Sequence, residues 1–189
     1  MSNNSEDIFL EDIKSIANEL EEFYDELEGK TVLIAGGKGF LGTYFTSVLT
    51  KINETLSKPM KIIVLDSLIT SKDKKDSVNQ NIEFLEQDIS KSFEIDDNVD
   101  YIIHAASIAS PPTYRKFPIK TVDVNYQGTK NLLEIAKEKK VRSMLLLSSS
   151  EIYGDPEIFP TPESYVGKVS CTGPRACYDE SKRLAETIS

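Results

Sequence analysis

Thr31-Val32-Leu33-Ile34-Ala35-Gly36-Gly37-Lys38-Gly39-Phe40-Leu41-Gly42 runs from a strand pattern through three evenly spaced glycines into a helical pattern. Gly36, Gly39 and Gly42 form G-x-x-G-x-x-G at the turn between them. The first two permit a tight turn and close backbone approach to a pyrophosphate. The third lets the helix pack closely on the strand, with its positive end toward the phosphates. No Gly-Lys-Ser/Thr follows, so this is not a Walker loop, and Lys38 is expected to be exposed. Gly36, Gly39, Phe40, Leu41 and Gly42 are therefore expected to hold a dinucleotide.

Working outward, short apolar runs alternate with helical spacing. Strands are expected over Thr31–Ala35, Lys61–Asp66, Ile82–Leu85, Tyr101–His104 and Ser143–Ser149, and helices from near Phe40, Ile119 and Tyr178. The strands are nearly all apolar, as parallel strands covered on both faces must be. This alternation predicts an α/β fold, a Rossmann-like doubly wound parallel sheet with right-handed crossovers, over 30–189. Before it, Asp7–Leu27 reads as an amphipathic helix with Ser5 as N-cap and Gly29 at the exit. Residues 1–29 form an extension that packs on the domain or on a second subunit. The strand order 3-2-1-4-5-6 leaves this chain without its sixth strand and substrate-binding region, with the fifth strand as an apolar edge. A fragment, a split-gene product or a homo-oligomer that covers the edge are the expectations that follow.

Composition narrows the function classes. The chain has 189 residues, 39% hydrophobic and 28% charged, which suits one globular domain. A formal charge of −9 argues against nucleic acid as a partner. No run is long and apolar enough for a membrane span, and the N-terminus lacks a secretory pattern. Cys171 and Cys177, expected in a loop, show no metal-ligand spacing and read as reduced thiols of a cytoplasmic protein.

Further cofactor contacts follow from strand ends. Asp66, with Ser67 beside it, is placed to bind the adenosine ribose hydroxyls and to repel a 2′-phosphate, so NAD is expected over NADP. Lys72, Lys74 and Lys75 read as a solvated loop. Asp88 and Ile89 follow the third strand and are expected at the adenine edge. His104, the one histidine, reads as a buried neighbour of the cofactor, and the small residues Ala105, Ala106 and Ser107 after it admit the dinucleotide.

Tyr178 and Lys182 lie four apart on a helical pattern and share a face. Free tyrosine, with a pKa of about 10, is a poor base. A lysine ammonium and an oxidised nicotinamide both favour phenolate. Ser149 is expected at the end of the fifth strand, bonding the same substrate oxygen. Arg175 reads as facing an anionic substrate or forming a surface ion pair.

These residues resemble the extended short-chain dehydrogenase/reductases that modify nucleotide sugars, and within them the UDP-glucuronate decarboxylases most closely. The likeness rests on Gly36–Gly42, on His104-Ala105-Ala106-Ser107-Ile108-Ala109-Ser110-Pro111-Pro112, and on Pro118–Thr121 leading to Asn125 and Gly128-Thr129. Ser148–Pro156 and Gly173–Arg183 are its most specific parts. The resemblance implies a Ser149–Tyr178–Lys182 triad that oxidises C4 of a UDP-sugar with NAD, and a substrate contact at Ser110. Sugar 4,6-dehydratases carry Asp-Glu where this chain has Ser150-Glu151, which favours decarboxylation over dehydration. A catalytic part for Glu151, against a structural strand-end acid, is implied only by this resemblance. A nucleotide-sugar 4-epimerase is the nearest enzymatic alternative, and a noncatalytic NAD-binding or interaction module is the alternative of a different class. Ile108, Ser67–Thr70 and the leading helix depart from the decarboxylase pattern.

Overall fold

The computed structural model describes residues 3–69 and 79–189. Lys72, Lys74 and Lys75 lie outside the described residues. The chain order is α1 (Asn3–Glu19), a 3-10 turn (Glu21–Phe23), α2 (Tyr24–Leu27), β1 (Thr31–Ala35), α3 (Phe40–Asn53), β2 (Lys61–Asp66), β3 (Ile82–Glu86) and β4 (Tyr101–His104). It continues with α4 (Pro111–Lys116), α5 (Pro118–Val122), a π-helical turn (Asp123–Gln127), α6 (Gly128–Lys139), β5 (Ser143–Leu146), a 3-10 turn (Ser150–Tyr153) and α7 (Ala176–Ile188).

All strand pairs are parallel, in the order β3-β2-β1-β4-β5. Sequence direction across the sheet reverses between β1 and β4, which opens a crevice beyond their carboxyl ends. The two-residue repeat of the strands divides the core in two. Val32, Ile34, Ile62 and Val64 face one side and pack with Val48, Leu49 and Ile52 of α3 and with Ile13 and Ala17 of α1. Leu33, Ala35, Ile63, Leu65 and Ile102 face the other and pack with Leu132 and Ile135 of α6 and with Tyr178 of α7. The central strands β1 and β2 are thus apolar on both faces because each of their faces is covered. Among the described residues strand β5 pairs only with β4, and Leu145 on it is 48% exposed.

Several elements differ from the sequence expectations. Ser5 lies inside α1, whose first residue is Asn3, so it is not the cap. The leading helix breaks after Glu19 instead of running to Leu27. The Tyr24 hydroxyl donates to the Ala17 carbonyl (2.9 Å) and folds the next turn back onto α1. That helix packs on this domain: the Tyr44 hydroxyl donates to Asp12 (2.9 Å), and Phe9 meets Tyr44 edge-on at 4.8 Å. Gly29, at φ +66, ends the extension as expected. Helix α4, begun by Pro111-Pro112 at positions where helices tolerate proline, was not anticipated. Strand β5 ends at Leu146, before Ser149. Cys177 sits in the first turn of α7, not in a loop, and both cysteines are free thiols.

Candidate active site

The glycine turn is required by close backbone packing. Gly36 has φ +80, and a Cβ there would lie 2.6 Å from the Ala106 backbone. The turn after β1 and the chain after β4 are therefore in direct contact, and any side chain would force them apart. Gly42 closes the other end, since its Cβ would lie 2.1 Å from the Gly36 carbonyl oxygen. Helix α3 starts against the turn, with its first N–H groups available to an anion. Phe40 (79% exposed) and Leu41 (51% exposed) begin α3 beside the turn, and the Phe40 ring meets that of Tyr44 edge-on at 5.4 Å.

One crevice gathers Gly36, Gly39, Asp66, Ser67, Asp88, Ile89, Ala105, Ala106 and Ser107, which come from the ends of β1, β2, β3 and β4. Asp66 does structural work in it. One carboxylate oxygen accepts from the Lys38 N–H (3.0 Å) and the other from the Leu68 N–H (2.8 Å). It thereby ties the glycine turn to the β2 loop. Asp88 accepts from the Ser90 N–H (3.1 Å) and hydroxyl (2.7 Å) and from Lys120. Burial pulls its pKa up, but Lys120 and Ser90 outweigh that and hold it below the usual carboxylate value.

A second cleft, of about 340 Å³, is lined by Ala109, Pro111, Tyr114, Arg115, Ser149, Ser150, Glu151, Arg175 and Tyr178. The segment after β4 joins the two, with Ala105–Ile108 in the first and Ala109 and Pro111 in the second. Ser149 caps the 3-10 turn after β5, accepting from the Glu151 N–H at 3.2 Å. Glu151 accepts from Arg175, whose Nε lies 3.6 Å from an Asp179 carboxylate oxygen. Arg175 is therefore the bridge between the β5 turn and α7, its charge matched by two carboxylates. Asp179, 6% exposed, is raised in pKa by burial, with Arg175 opposing the shift. Ser110 is exposed at the start of α4, where its carbonyl accepts from Thr113 and Tyr114 (2.9 Å each).

Lys182 lies behind Tyr178, only 4% exposed, and donates to the Leu147 carbonyl just past β5. Burial lowers its pKa from 10.5 to about 8, against the opposing charge of Glu186. His104, 2% exposed, is lowered to about 3 by burial and then by the Lys182 charge, so it is neutral. Its tautomer follows from its partner. The one Thr129 hydroxyl proton goes to the Asn125 carbonyl, so His104 Nε2 must donate to Thr129 Oγ1 (3.0 Å). Nδ1 is left as a buried bare acceptor without a partner among the described residues.

Two residues important to this geometry were missed. Asn125, 2% exposed, sits in the π-helical turn, accepts from Ser107 (2.7 Å) and donates to Ser181 on α7 (2.9 Å). It connects the cofactor-side loop to the helix that carries Tyr178. Tyr114 stacks on Tyr178 with centroids 5.3 Å apart and planes 14° from parallel. No periodicity signals either one, although Asn125 lies in one of the stretches that carry the family resemblance. Among the described residues no His/Cys/Asp/Glu group could hold a metal ion, and no helix is long and apolar enough to cross a membrane.

UDP-glucuronic acid decarboxylase 1 of Xenopus tropicalis is 41% identical over 170 residues, covering 88% of this chain and 38% of that protein. UDP-glucuronic acid decarboxylase 5 of Arabidopsis thaliana is 42% identical over 160 residues, covering 83% and 45% respectively. Among solved structures, an epimerase from Methanothermobacter thermautotrophicus superposes with a TM-score of 0.73 at 27% identity, over 89% of this chain and 49% of that one. The chain thus spans less than half the length of each of these proteins. Its residues 32–189 match the family described as the NAD dependent epimerase/dehydratase family. With a match over that much of its length, the chain belongs to the NAD dependent epimerase/dehydratase family.

Proposed function

We propose that these residues form the cofactor and proton-transfer half of an enzyme that modifies a nucleotide sugar by transient oxidation at C4, with UDP-glucuronate decarboxylation as the reaction. The supporting observation is the convergence of Ser149, Glu151 and Tyr178 on one cleft, with Lys182 behind them and the glycine-turn crevice adjoining. NAD is the cofactor of this family, and when bound it supplies a reversible hydride acceptor. The residues that would hold it are Gly36, Gly39, Phe40, Leu41 and Gly42 at the pyrophosphate, Asp66 and Ser67 at the adenosine ribose, and Asp88 and Ile89 at the adenine. Ala105, Ala106 and Ser107 would border it, and Tyr178 and Lys182 would meet its nicotinamide end.

Tyr178 takes the proton of the sugar 4-hydroxyl as C4 becomes a ketone, and Ser149 hydrogen-bonds the same oxygen. Lys182 supplies the positive charge behind the phenol. A C5 carboxyl is then β to a ketone, so its C–C bond can break with the electron pair passing to an enolate and CO₂ leaving. The enolate then takes a proton at C5, and Tyr178 returns its proton to the C4 oxygen as hydride is restored to C4. Glu151, held by Arg175, is the acid beside those carbons. Ser150, which follows Ser149, has no carboxyl with which to expel water, and this supports decarboxylation over dehydration. Epimerisation at C4 is the second reading, supported by the epimerase among the structural neighbours. It differs in returning the hydride to the opposite face without loss of carbon.

Tyr178→Phe is expected to abolish conversion of UDP-glucuronate, assayed by CO₂ release, while NAD affinity by calorimetry stays within about twofold because only a hydroxyl is lost. Unchanged turnover would remove Tyr178 from the chemistry. Interconversion of UDP-glucose and UDP-galactose without CO₂ release would select the epimerase reading.

A further inference from the structure

The second cleft contains two arginines in different electrostatic situations. Arg175 is closed off, since Glu151 and Asp179 both engage its guanidinium. Arg115 lines the same cleft, is exposed, and has no ion-pair partner among the described residues. Its neighbour Lys116 is turned away, with its ammonium 5.2 Å from the Phe117 ring. Arg115 is thus the one uncompensated cation lining the cleft.

The position of Arg115 is fixed relative to Tyr178. It follows Tyr114 on α4, and Tyr114 is 3% exposed with its ring stacked on that of Tyr178. The Cys177 thiol donates to the Tyr114 carbonyl at 3.7 Å, which fastens α4 to the first turn of α7. One helical step of about 100° from the inward-facing Tyr114 brings the next side chain to the lip of the cleft. The Tyr114 hydroxyl registers both arginines: burial raises its pKa, and Arg175 and then Arg115 oppose that rise.

We propose that Arg115 is a specificity-determining residue that binds the C5 carboxylate of a hexuronate sugar held against Tyr178. This rests on the nucleotide-sugar reading above. An anionic ligand approaches a chain of net charge −9 and needs a local cation that the protein has not already neutralised. A nucleotide hexuronate carries two anionic groups, the sugar carboxylate and the diphosphate. The carboxylate stands on C5, next to the C4 carbon whose hydroxyl Tyr178 addresses, whereas the diphosphate hangs from C1 across the ring. A guanidinium one residue from the ring that stacks on Tyr178 is placed for the nearer group. Its planar fork suits a carboxylate bidentately, which an ammonium does not match.

Saturation-transfer NMR on the NAD⁺-loaded chain, with UDP-glucuronate, UDP-glucose and UDP titrated separately, reads this directly even for weak ligands. The wild type is expected to prefer UDP-glucuronate over UDP-glucose. Arg115→Met should weaken UDP-glucuronate about tenfold, as loss of a charge-assisted hydrogen bond would, and leave UDP-glucose and UDP unchanged. Arg115→Lys should recover part of the loss, and because the residue is exposed both variants should melt at the wild-type temperature. If all three ligands weaken equally, Arg115 serves the diphosphate and the carboxylate assignment is overturned. If UDP-glucuronate affinity does not change, Arg115 has no part in recognition, while the nucleotide-sugar reading stands. Binding of NAD⁺ without any of the three ligands would overturn both.

Discussion

Lys182→Met is expected to stabilise the cofactor-free protein at pH 7 and at the same time to impair NAD binding severely. Lys182 is 96% removed from solvent, and its ammonium meets one carbonyl, that of Leu147. Its pKa falls from 10.5 to about 8, so the folded state disfavours the charged form. That shift corresponds to roughly 3 kcal/mol of destabilisation at neutral pH. Methionine removes the buried charge and keeps most of the volume, but leaves the Leu147 carbonyl without its donor, at about 1–2 kcal/mol. The net gain is about 1–2 kcal/mol, or roughly 3–6 °C in Tm for a chain of this size. The pH dependence distinguishes this cause from better packing. Between pH 8 and 10.5 the unfolded chain binds a proton that the folded one has released, so wild-type stability rises with pH across that window and falls back as pH returns to 8. The variant should lack that rise. Thermal melts of both proteins at pH 7 and pH 10 check it, and a lower Tm for the variant at pH 7 would mean that the lysine is structurally satisfied.

Gly36→Ala is expected to destroy cofactor binding and to destabilise the fold by roughly 3 kcal/mol or more. Two penalties coincide there. The residue adopts φ +80, which an L side chain rarely takes, and its Cβ would sit 2.6 Å from both the nitrogen and the Cα of Ala106. Neither neighbour is a flexible side-chain tip, so relief requires the β1 turn and the β4 loop to separate. That separation opens the crevice in which Gly36, Asp66 and Ala105 meet. Urea unfolding and NAD calorimetry should both report the loss. Gly39→Ala is a milder control, because its Cβ would contact only the Gly36 carbonyl oxygen, at 3.2 Å. Equal NAD affinity in wild type and Gly36→Ala would refute the pyrophosphate role of the turn.

What could be read in advance, and what could not, follows from the range of each interaction. Strand positions β1 to β4 are encoded locally by apolar runs that must satisfy two faces, and the glycine turn declares its backbone conformation by residue type. Tyr178 and Lys182 share a helix, so spacing alone placed them on one face. Contacts between distant segments left no such trace. The π-helical turn that buries Asn125 between Ser107 and Ser181 is set by three segments meeting, and no period in Asp123–Gln127 announces it. Likewise the early end of β5 at Leu146 reflects the capping of the next turn by Ser149, a local competition that the apolar run through Leu147 conceals. The split engagement of Arg175 by Glu151 and Asp179, and the stacking of Tyr114 on Tyr178, needed α4 and α7 to be positioned first.

The most direct test is a crystal structure of the chain with NAD⁺ bound. The pyrophosphate should lie on the first turn of α3 beside Gly36 and Gly39, and the nicotinamide ring should open onto the cleft between Ser149 and Tyr178, with its ribose against Lys182. A dinucleotide bound at the glycine turn but with its nicotinamide directed away from Tyr178, or a Tyr178 hydroxyl turned into the core, would contradict the assignment of this site to hydride and proton transfer.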